Sequence, residues 1–223
     1  MYSIIKRLFD SIASFSALVL LTPLTFPLVL ILRFTSEGQI FYLQERVGYK
    51  NSRFFIFKFA TMLKASLNMK GGHITLKGDP RITKIGNFLR KSKINELPQL
   101  LNILKGDMSI VGPRPVLKVS FDAYPKKVQQ VIYNIKPGLT GVGSIIFRDE
   151  EDLITKIKNE GGDVWDFYQN SIYPYKGELE LWYQKNISLT TDVKIIFLTF
   201  WVILFPNSKL YLRWLNDLPK RSF

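Results

Sequence analysis

Between Asp79 and Pro115 the sequence reads DPRITKIGNFLRKSKINELPQLLNILKGDMSIVGPRP, and this stretch concentrates side chains suited to phosphate chemistry. Arg81, Lys84, Arg90, Lys91 and Lys93 precede an Asn95-Glu96 pair, and Arg114 follows within the run Pro113-Arg114-Pro115. Arginine presents planar, bidentate donors to phosphate oxygens and lysine a point charge, so the set suits a pyrophosphate. A solvated basic face would have the same composition. Glu96 reads either as a structural charge favourable at a helix start or as a ligand for a hard cation such as Mg²⁺. Asn95 reads as a helix N-cap.

Composition narrows the chemistry further. The chain has no cysteine, which excludes thiolate catalysis and cysteine-based zinc sites, and its single histidine, His73, argues against a His-based metal site or a Ser-His-Asp triad. Catalysis must use carboxylates, lysine, arginine or a hard cation. Lys and Arg total 31 against 18 Asp and Glu, giving a net charge of +13, so anionic partners are expected: phosphorylated substrates, acidic lipid or nucleic acid.

Position is the next requirement. Pro98 is tolerated in a helix only within the first turn, so a helix is predicted to start near Asn95, with Leu97, Leu100, Leu101 and Leu104 forming its packed stripe. Asn95, Gln99 and Asn102 fall opposite, and the helix would offer its unpaired N–H groups to phosphate. Gln39 to Arg46 and Arg53 to Thr61 read as strands, the second alternating around Phe55, Phe57 and Phe59. Gly71-Gly72 is the expected exposed loop. Phe147 to Tyr175 reads as irregular and, with Asp149 to Asp152, Trp165, Phe167 and Tyr168, as either a region that sets specificity or a solvated loop.

The ends of the chain are different in character. Ser11 to Leu32 carries no charge and is long enough to cross a hydrocarbon core. Lys6, Arg7 and Arg33 flank it on both sides, which under the positive-inside rule draws both ends to the cytoplasm. Pro23 and Pro27 favour a kink, so a helix that dips in and returns satisfies both constraints; a kinked spanning helix is the alternative. Thr22 and Thr25 are placed to bond the carbonyls that the prolines leave free. Ile195 to Phe205 is too short to span and predicts a buried or interfacial helix. The tail mixes Leu210, Trp214 and Leu218 with Lys209, Arg213, Lys220 and Arg221, the pattern either of an interface-lying segment or of a core-packing helix with a solvated basic tail.

KINELPQLLNILKGDMSIVGPRP, with QERVGYKNSRFFIFKFATM, DPRITKIGNFLRK and KPGLTG in that order, resembles the bacterial sugar transferases called monotopic phosphoglycosyl transferases, over about Lys6 to Lys194. The resemblance implies a small, mixed α/β (α+β), mostly helical catalytic domain over 36–206. It also implies a re-entrant membrane helix over 1–35 kinked near Pro23, while the residue pattern adds interfacial amphipathic helices and a basic interfacial tail over 207–223. It further implies transfer of a sugar-1-phosphate from a UDP-sugar to undecaprenyl phosphate with Mg²⁺, releasing UMP at the cytoplasmic face of the bacterial inner membrane. That step starts surface polysaccharide or glycoconjugate assembly. The critical positions carried over are Lys58, Arg90, Glu96 and Arg114, the last within the element associated with the nucleotide diphosphate. Membrane lipid is an expected partner, nucleic acid is not, and a homo-oligomer is left open.

The sequence departs from that pattern in three places. Asn95 stands where the family has the Asp that attacks the donor β-phosphate, Ala60 stands where Arg is common, and GLTGVGSIIF lacks the usual Gln. A neutral amide is a poor nucleophile toward phosphorus. The favoured mechanism is therefore direct attack by the polyprenyl phosphate, with Glu96 and Mg²⁺ positioning the donor. A nucleophilic Glu96 and an impaired enzyme are the alternatives. A non-catalytic membrane scaffold and a basic nucleic-acid binder complete the range.

Overall fold

The apolar N-terminal run forms a single helix, α1 (Tyr2–Thr35), that continues through Pro23 and Pro27. In the computed structural model, which describes residues 2–35, 37–68 and 75–223, this is the one helix long and apolar enough to cross a membrane. Gly71-Gly72 and His73 lie outside the described residues. The threonines do not reach the carbonyls the prolines free: Thr22 Oγ1 donates to the Leu18 carbonyl at 2.8 Å and Thr25 Oγ1 to the Thr22 carbonyl at 3.4 Å. These bonds stop one residue short of the Val19 and Pro23 carbonyls, the groups freed four residues before each proline.

One stripe of α1 packs on the rest of the protein. Asp10, Ser14 and Leu32 are buried, with Ala17, Leu18, Leu21, Leu28 and Val29 between them, recurring every three or four residues as a helix face requires. The other faces leave Leu8, Phe15, Leu20 and Phe26 exposed. Polar bonds fasten the first turns. Lys6 Nζ and the Tyr2 hydroxyl donate to Asp192 at 2.6 and 2.8 Å, Arg7 donates to the Leu104 carbonyl at 2.7 Å, and Asp10 accepts the Ile110 N–H at 3.2 Å.

The two expected strands pair antiparallel as β1 (Phe41–Val47) and β2 (Arg53–Phe59), with Tyr42 opposite Lys58 and Arg46 opposite Phe54. Side chains alternate between faces, so Gln44, Arg46, Ile56 and Lys58 share one face. Ile56 is buried there, whereas Phe55 on the other face stays exposed. The free edge of β2 is covered by one side chain: Asn102 accepts the Phe57 N–H at 2.9 Å and donates to the Phe55 carbonyl at 2.8 Å. Its amide thus substitutes for a third strand.

Helix α2 (Lys84–Lys91) is capped by Thr83, whose hydroxyl accepts the Gly86 N–H at 2.9 Å. A Cβ at Gly86 would lie 2.1 Å from the Thr61 carbonyl, so only glycine lets α2 come this close to the strand end. The expected helix from Asn95 begins later. Ile94–Glu96 is a 3-10 turn, and α3 is the short helix Gln99–Lys105. Pro98 has no N–H to give the Ile94 carbonyl, which takes the Leu97 N–H instead at 3.1 Å. The packed face turns with it: Gln99, Leu100, Asn102 and Ile103 are buried, whereas Leu101 is exposed on the α1 side.

β3 (Ser109–Val111) leads through the Pro113-Arg114-Pro115 loop to α4 (Lys118–Asp122) and α5 (Lys126–Gln129), then to β4 (Gly138–Thr140), parallel to β3. α6 (Val142–Ile146) follows, then α7 (Glu150–Asn159) and α8 (Val164–Phe167). A π-helical turn, Tyr168–Ile172, joins α8 to α9 (Tyr173–Lys185). The region 147–175, expected to be irregular, is therefore largely helical; its acidic run fills the first turn of α7, where negative charge favours helix. α9 and α10 (Leu189–Leu204) enclose the main core with Val111, Tyr133, Val142 and Ile145. α10 buries Ile195, Leu198 and Val202 and exposes Val193, Phe200 and Leu204, so it is both a core and a surface helix.

The tail, with its short α11 (Tyr211–Trp214), folds back onto this body rather than lying free. Trp182 Nε1 donates to the Asn216 carbonyl at 2.9 Å, the Tyr175 hydroxyl to the Pro219 carbonyl at 3.0 Å, and Arg221 pairs with Asp149 at 2.9 Å. Sequence alternation misses this because the partners are aromatic donors far away in the chain. Removing the edge cover tests the hairpin's support: Asn102→Ala takes the partner from two backbone groups on the edge of β2 and should destabilise the protein by about 2 kcal/mol, read as a fall in Tm in detergent.

Candidate functional site

Where β2, the 3-10 turn and the Pro113-Arg114-Pro115 loop converge, Glu96 lies almost wholly buried. Arg114 grips it bidentately, Nη1 donating to Oε2 at 3.2 Å and Nη2 to Oε1, while Lys58 Nζ stands 3.9 Å from Oε1. Arg114 nevertheless keeps 41% of its side chain exposed, so its outer edge is open to an incoming anion.

Backbone crowding sets the position of Arg114. The Gly112 N–H donates to the Thr140 carbonyl at 3.0 Å and the Gly138 N–H to the Pro113 carbonyl at 2.9 Å. A Cβ at Gly138 would meet the Gly112 nitrogen at 2.1 Å, so β4 is seated directly against the loop. The Tyr133 hydroxyl donates to the Arg114 carbonyl at 2.8 Å and accepts the Val116 N–H at 3.1 Å. Arg46 donates to the Pro115 carbonyl at 3.3 Å. Pro113 and Pro115 thus act through their carbonyls as fixed posts on either side of Arg114.

The electrostatics are those of an under-neutralised cationic cluster. Burial would raise the Glu96 carboxyl, but Arg114, then Lys58 and Lys93, outweigh it and hold the group well below the usual carboxylate range. Burial pushes the Lys58 ammonium down to about 7 against the attraction of Glu96, with Arg46, Arg114 and Arg90 adding to the fall. Arg46 is lowered to about 10 by burial and by Arg114. Arg114 is raised, first by the Glu96 charge.

The other expected residues divide. Arg90, at the end of α2, is close enough to Lys58 to lower its basicity and reaches Glu151 at 3.7 Å. Arg81 is turned to Asp79, its Nη2 2.6 Å from Oδ2 and its Nε 2.9 Å from Oδ1, and these bonds tie down the loop before α2. Asn95 is buried, but with α3 starting at Gln99 it caps no helix, and its amide oxygen has no partner among the described residues. α3 is also too short to offer the expected anion-binding terminus.

Sequence reasoning missed Arg46 and Glu180. The strand alternation that puts Arg46 on the face of Lys58 was available in the sequence. Glu180 had no such signal; it lies in α9 with its carboxylate against the Arg114 backbone N–H and against Gly143, whose Cβ would stand 3.3 Å from Oε1. Among the described residues no three His, Asp or Glu side chains come together as a metal cage.

Comparison with known proteins adds an independent line. The sequence model of the family described as bacterial sugar transferase matches residues 1–206. The chain is 35% identical over 208 residues to the UDP-N-acetylgalactosamine-undecaprenyl-phosphate N-acetylgalactosaminephosphotransferase of Aeromonas hydrophila, covering 91% of this chain and 44% of that protein. It is 33% identical over 193 residues to the exopolysaccharide production protein ExoY of Rhizobium meliloti (strain 1021), covering 77% and 82%. Similarity to the UDP-glucose:undecaprenyl-phosphate glucose-1-phosphate transferase of Escherichia coli (strain K12) is 32% over 199 residues, covering 88% and 39%. The chain spans less than half the length of the Aeromonas and Escherichia relatives.

Glu180 yields a pH prediction. Burial raises its carboxyl to about 7 from the ordinary 4.5. A raised acid binds its proton more tightly in the folded state, so its stabilising contribution is full below about pH 4.5 and is lost as pH rises toward 7. Between pH 5 and 7.5 the protein should lose on the order of 3 kcal/mol that a Glu180→Gln variant keeps. Parallel denaturant titrations of the two proteins in detergent at both pH values check this.

Proposed function

We propose, because the chain belongs to the bacterial sugar transferase family, that it moves a sugar-1-phosphate from a UDP-sugar to undecaprenyl phosphate and releases UMP, initiating a surface polysaccharide or glycoconjugate. The observation that carries the reading is the cluster of Lys58, Arg46 and Arg114 around the Glu96 carboxylate, with Arg90 beside Lys58. Such a surplus of partly desolvated cations is relieved by a diphosphate, and charge stabilisation with positioning is what phosphoryl transfer asks of a protein.

In this reading Arg114 turns its exposed edge to the donor's diphosphate while Lys58 and Arg90 neutralise the transferring phosphoryl group. Mg²⁺ binds through one or two carboxylates plus substrate phosphates rather than an all-protein cage, and a lone Glu96 beside a diphosphate fits that donor set. When bound, the ion supplies further charge neutralisation on the phosphate oxygens. Asn95 offers no carboxylate, which supports direct attack by the acceptor phosphate on the donor's β-phosphorus. The acceptor's oxygen bonds to that phosphorus and the bond to the UMP oxygen breaks. Asn95 equally supports a second reading, an impaired member of the family.

α1 is proposed to lie in the inner membrane with both ends on the cytoplasmic side. Lys6 binds Asp192 and Leu32 packs with Leu89 and Phe59, so both ends of the helix rest on the same body, which supports a helix that enters and returns.

UMP release with undecaprenyl phosphate across a panel of UDP-sugars, with and without Mg²⁺, is the direct test. Arg114→Ala and Lys58→Ala should each lower kcat/KM about 100-fold or more. Trapping with radiolabelled donor should leave no covalent phosphosugar on the native chain; a labelled protein band would overturn direct attack. A large rise in turnover from Asn95→Asp would select the impaired reading. Because the chain has no cysteine, Ser3→Cys and Glu37→Cys are clean topology probes. Both should react with an impermeant maleimide only in inverted vesicles, and opposite accessibilities would establish a spanning helix.

A further inference from the structure

The end of α2 and the first turn of α7 are joined by the ion pair of Arg90 with Glu151 at 3.7 Å, and each side of that contact carries a further cation. Lys93 stands in the turn after α2, where its N–H donates to the Arg90 carbonyl at 3.2 Å and its carbonyl accepts the Glu96 N–H at 3.1 Å. Arg148 lies in the link between α6 and α7, three residues before Glu151. Neither side chain has a hydrogen-bond or ion-pair partner among the described residues. The surrounding protein desolvates the Lys93 ammonium and lowers it, and Arg114 and Arg148 add to the fall against the attraction of Glu96. Lys93 is nevertheless open to water, which places it in the mouth of a cleft rather than on a convex surface.

Four acids follow Arg148 in the sequence, and each is engaged elsewhere. Asp149 pairs with Arg221 at 2.9 Å, Glu150 with Lys176 at 2.7 Å, Glu151 with Arg90, and Asp152 with Lys77 at 2.8 Å. Glu96, three residues after Lys93, is held by Arg114 and Lys58. Both cations are thus left unneutralised on fixed backbone. Arg221 fastens the residues on either side of Arg148, pairing with Asp149 and standing 5.3 Å over the Phe147 ring. Lys93 is held at φ 62°, a left-handed conformation that glycine adopts more easily, and strain of this kind concentrates at ligand sites.

We infer that Lys93 and Arg148 form an anion subsite at the open end of the cleft, which takes the phosphate that leaves with uridine. The inference rests on the transferase reading above. A sugar nucleotide brings two phosphates side by side, and the cations available to them differ in their access to water. Lys58 keeps only 16% of its side chain exposed, whereas Lys93 is open, and Arg114 is near both. The transferred phosphoryl group belongs at the closed end, where water cannot compete with the acceptor as nucleophile. The nucleotide belongs at the open end, from which it departs. As the acceptor's oxygen bonds to the β-phosphorus, the bond to the UMP oxygen breaks and its electron pair stays on UMP, so negative charge grows on the leaving phosphate. Lys93 and Arg148 neutralise that charge.

The test titrates UMP into the full chain in detergent micelles by calorimetry. Lys93→Gln and Arg148→Gln should each weaken UMP binding about tenfold or more with the melting curve native, and Lys93→Arg, which keeps the charge, should bind as the native chain does. Lys156→Gln removes an exposed lysine paired with Glu160, controls for net charge and should leave UMP affinity unchanged. In the transfer assay Lys93→Gln and Arg148→Gln should lower kcat with the KM for undecaprenyl phosphate unchanged. UMP affinity unchanged in both variants, or no UMP binding by the native chain, would overturn the inference. So would a loss confined to sedimentation on phosphatidylglycerol vesicles, which would assign the two cations to a lipid headgroup. Titration needs no turnover, so absence of UMP release with every UDP-sugar would defeat the transferase reading while the subsite is still decided by UMP binding.

Discussion

A nearly buried carboxylate is costly unless its partners are fixed, and the pairing of Glu96 with Arg114 and Lys58 is the interaction around which this molecule is arranged. Desolvation alone would favour the protonated acid; the cations reverse the sign and keep Glu96 charged. They are not themselves satisfied by one negative charge. Lys58 is held down to about 7 and Arg46 to about 10, the signature of positive groups placed where water is scarce and anions are few. A further anion at the exposed edge of Arg114 would relieve that repulsion.

Holding that arrangement explains features that would otherwise look unrelated. The glycine contacts between β4 and the Pro113-Arg114-Pro115 loop, and the Tyr133 bonds on either side of it, fix the backbone from which Arg114 projects. Asn102 fixes the edge of the strand that carries Lys58, from the helix that follows Glu96. The packed stripe of α1 covers the outside of both, through Leu18 and Leu21 against α3 and Leu32 against Phe59. The long apolar helix is thus part of the wall behind the charged groups.

What could be read from the sequence follows the range of the forces involved. The hairpin, the charge of the site and the apolar helix are set by local pattern, and each was legible in Phe41 to Phe59, Lys58 to Arg114 and Ser11 to Leu32. Pro98 misled because a proline tolerated in a first turn also favours a 3-10 turn before it, and the choice was made by packing of Leu100 and Ile103. Arg81 pairs with Asp79 two residues away, a local salt bridge that in sequence looks like one more cation in a basic run. Glu180 and the closure of the tail depend on contacts across the whole core, which no window of sequence contains.

Asn95 bears on this balance directly. A carboxylate there would bring a second negative charge to the cluster and, besides offering a nucleophile, would offset part of the repulsion among Lys58, Arg46 and Arg114. The amide leaves that repulsion in place, so in the transferase reading proposed above the gain from neutralising the cluster would fall to the donor's diphosphate and to the acceptor's phosphate. Binding energy of that kind is present in the ground state as well as in the transition state, and it lowers KM without raising the rate of the chemical step. Speed must come from whatever is realised only as the acceptor approaches. In the transferase reading proposed above, that would be the alignment of two phosphates, one on the exposed edge of Arg114 and one on the acceptor, with Glu96 between them.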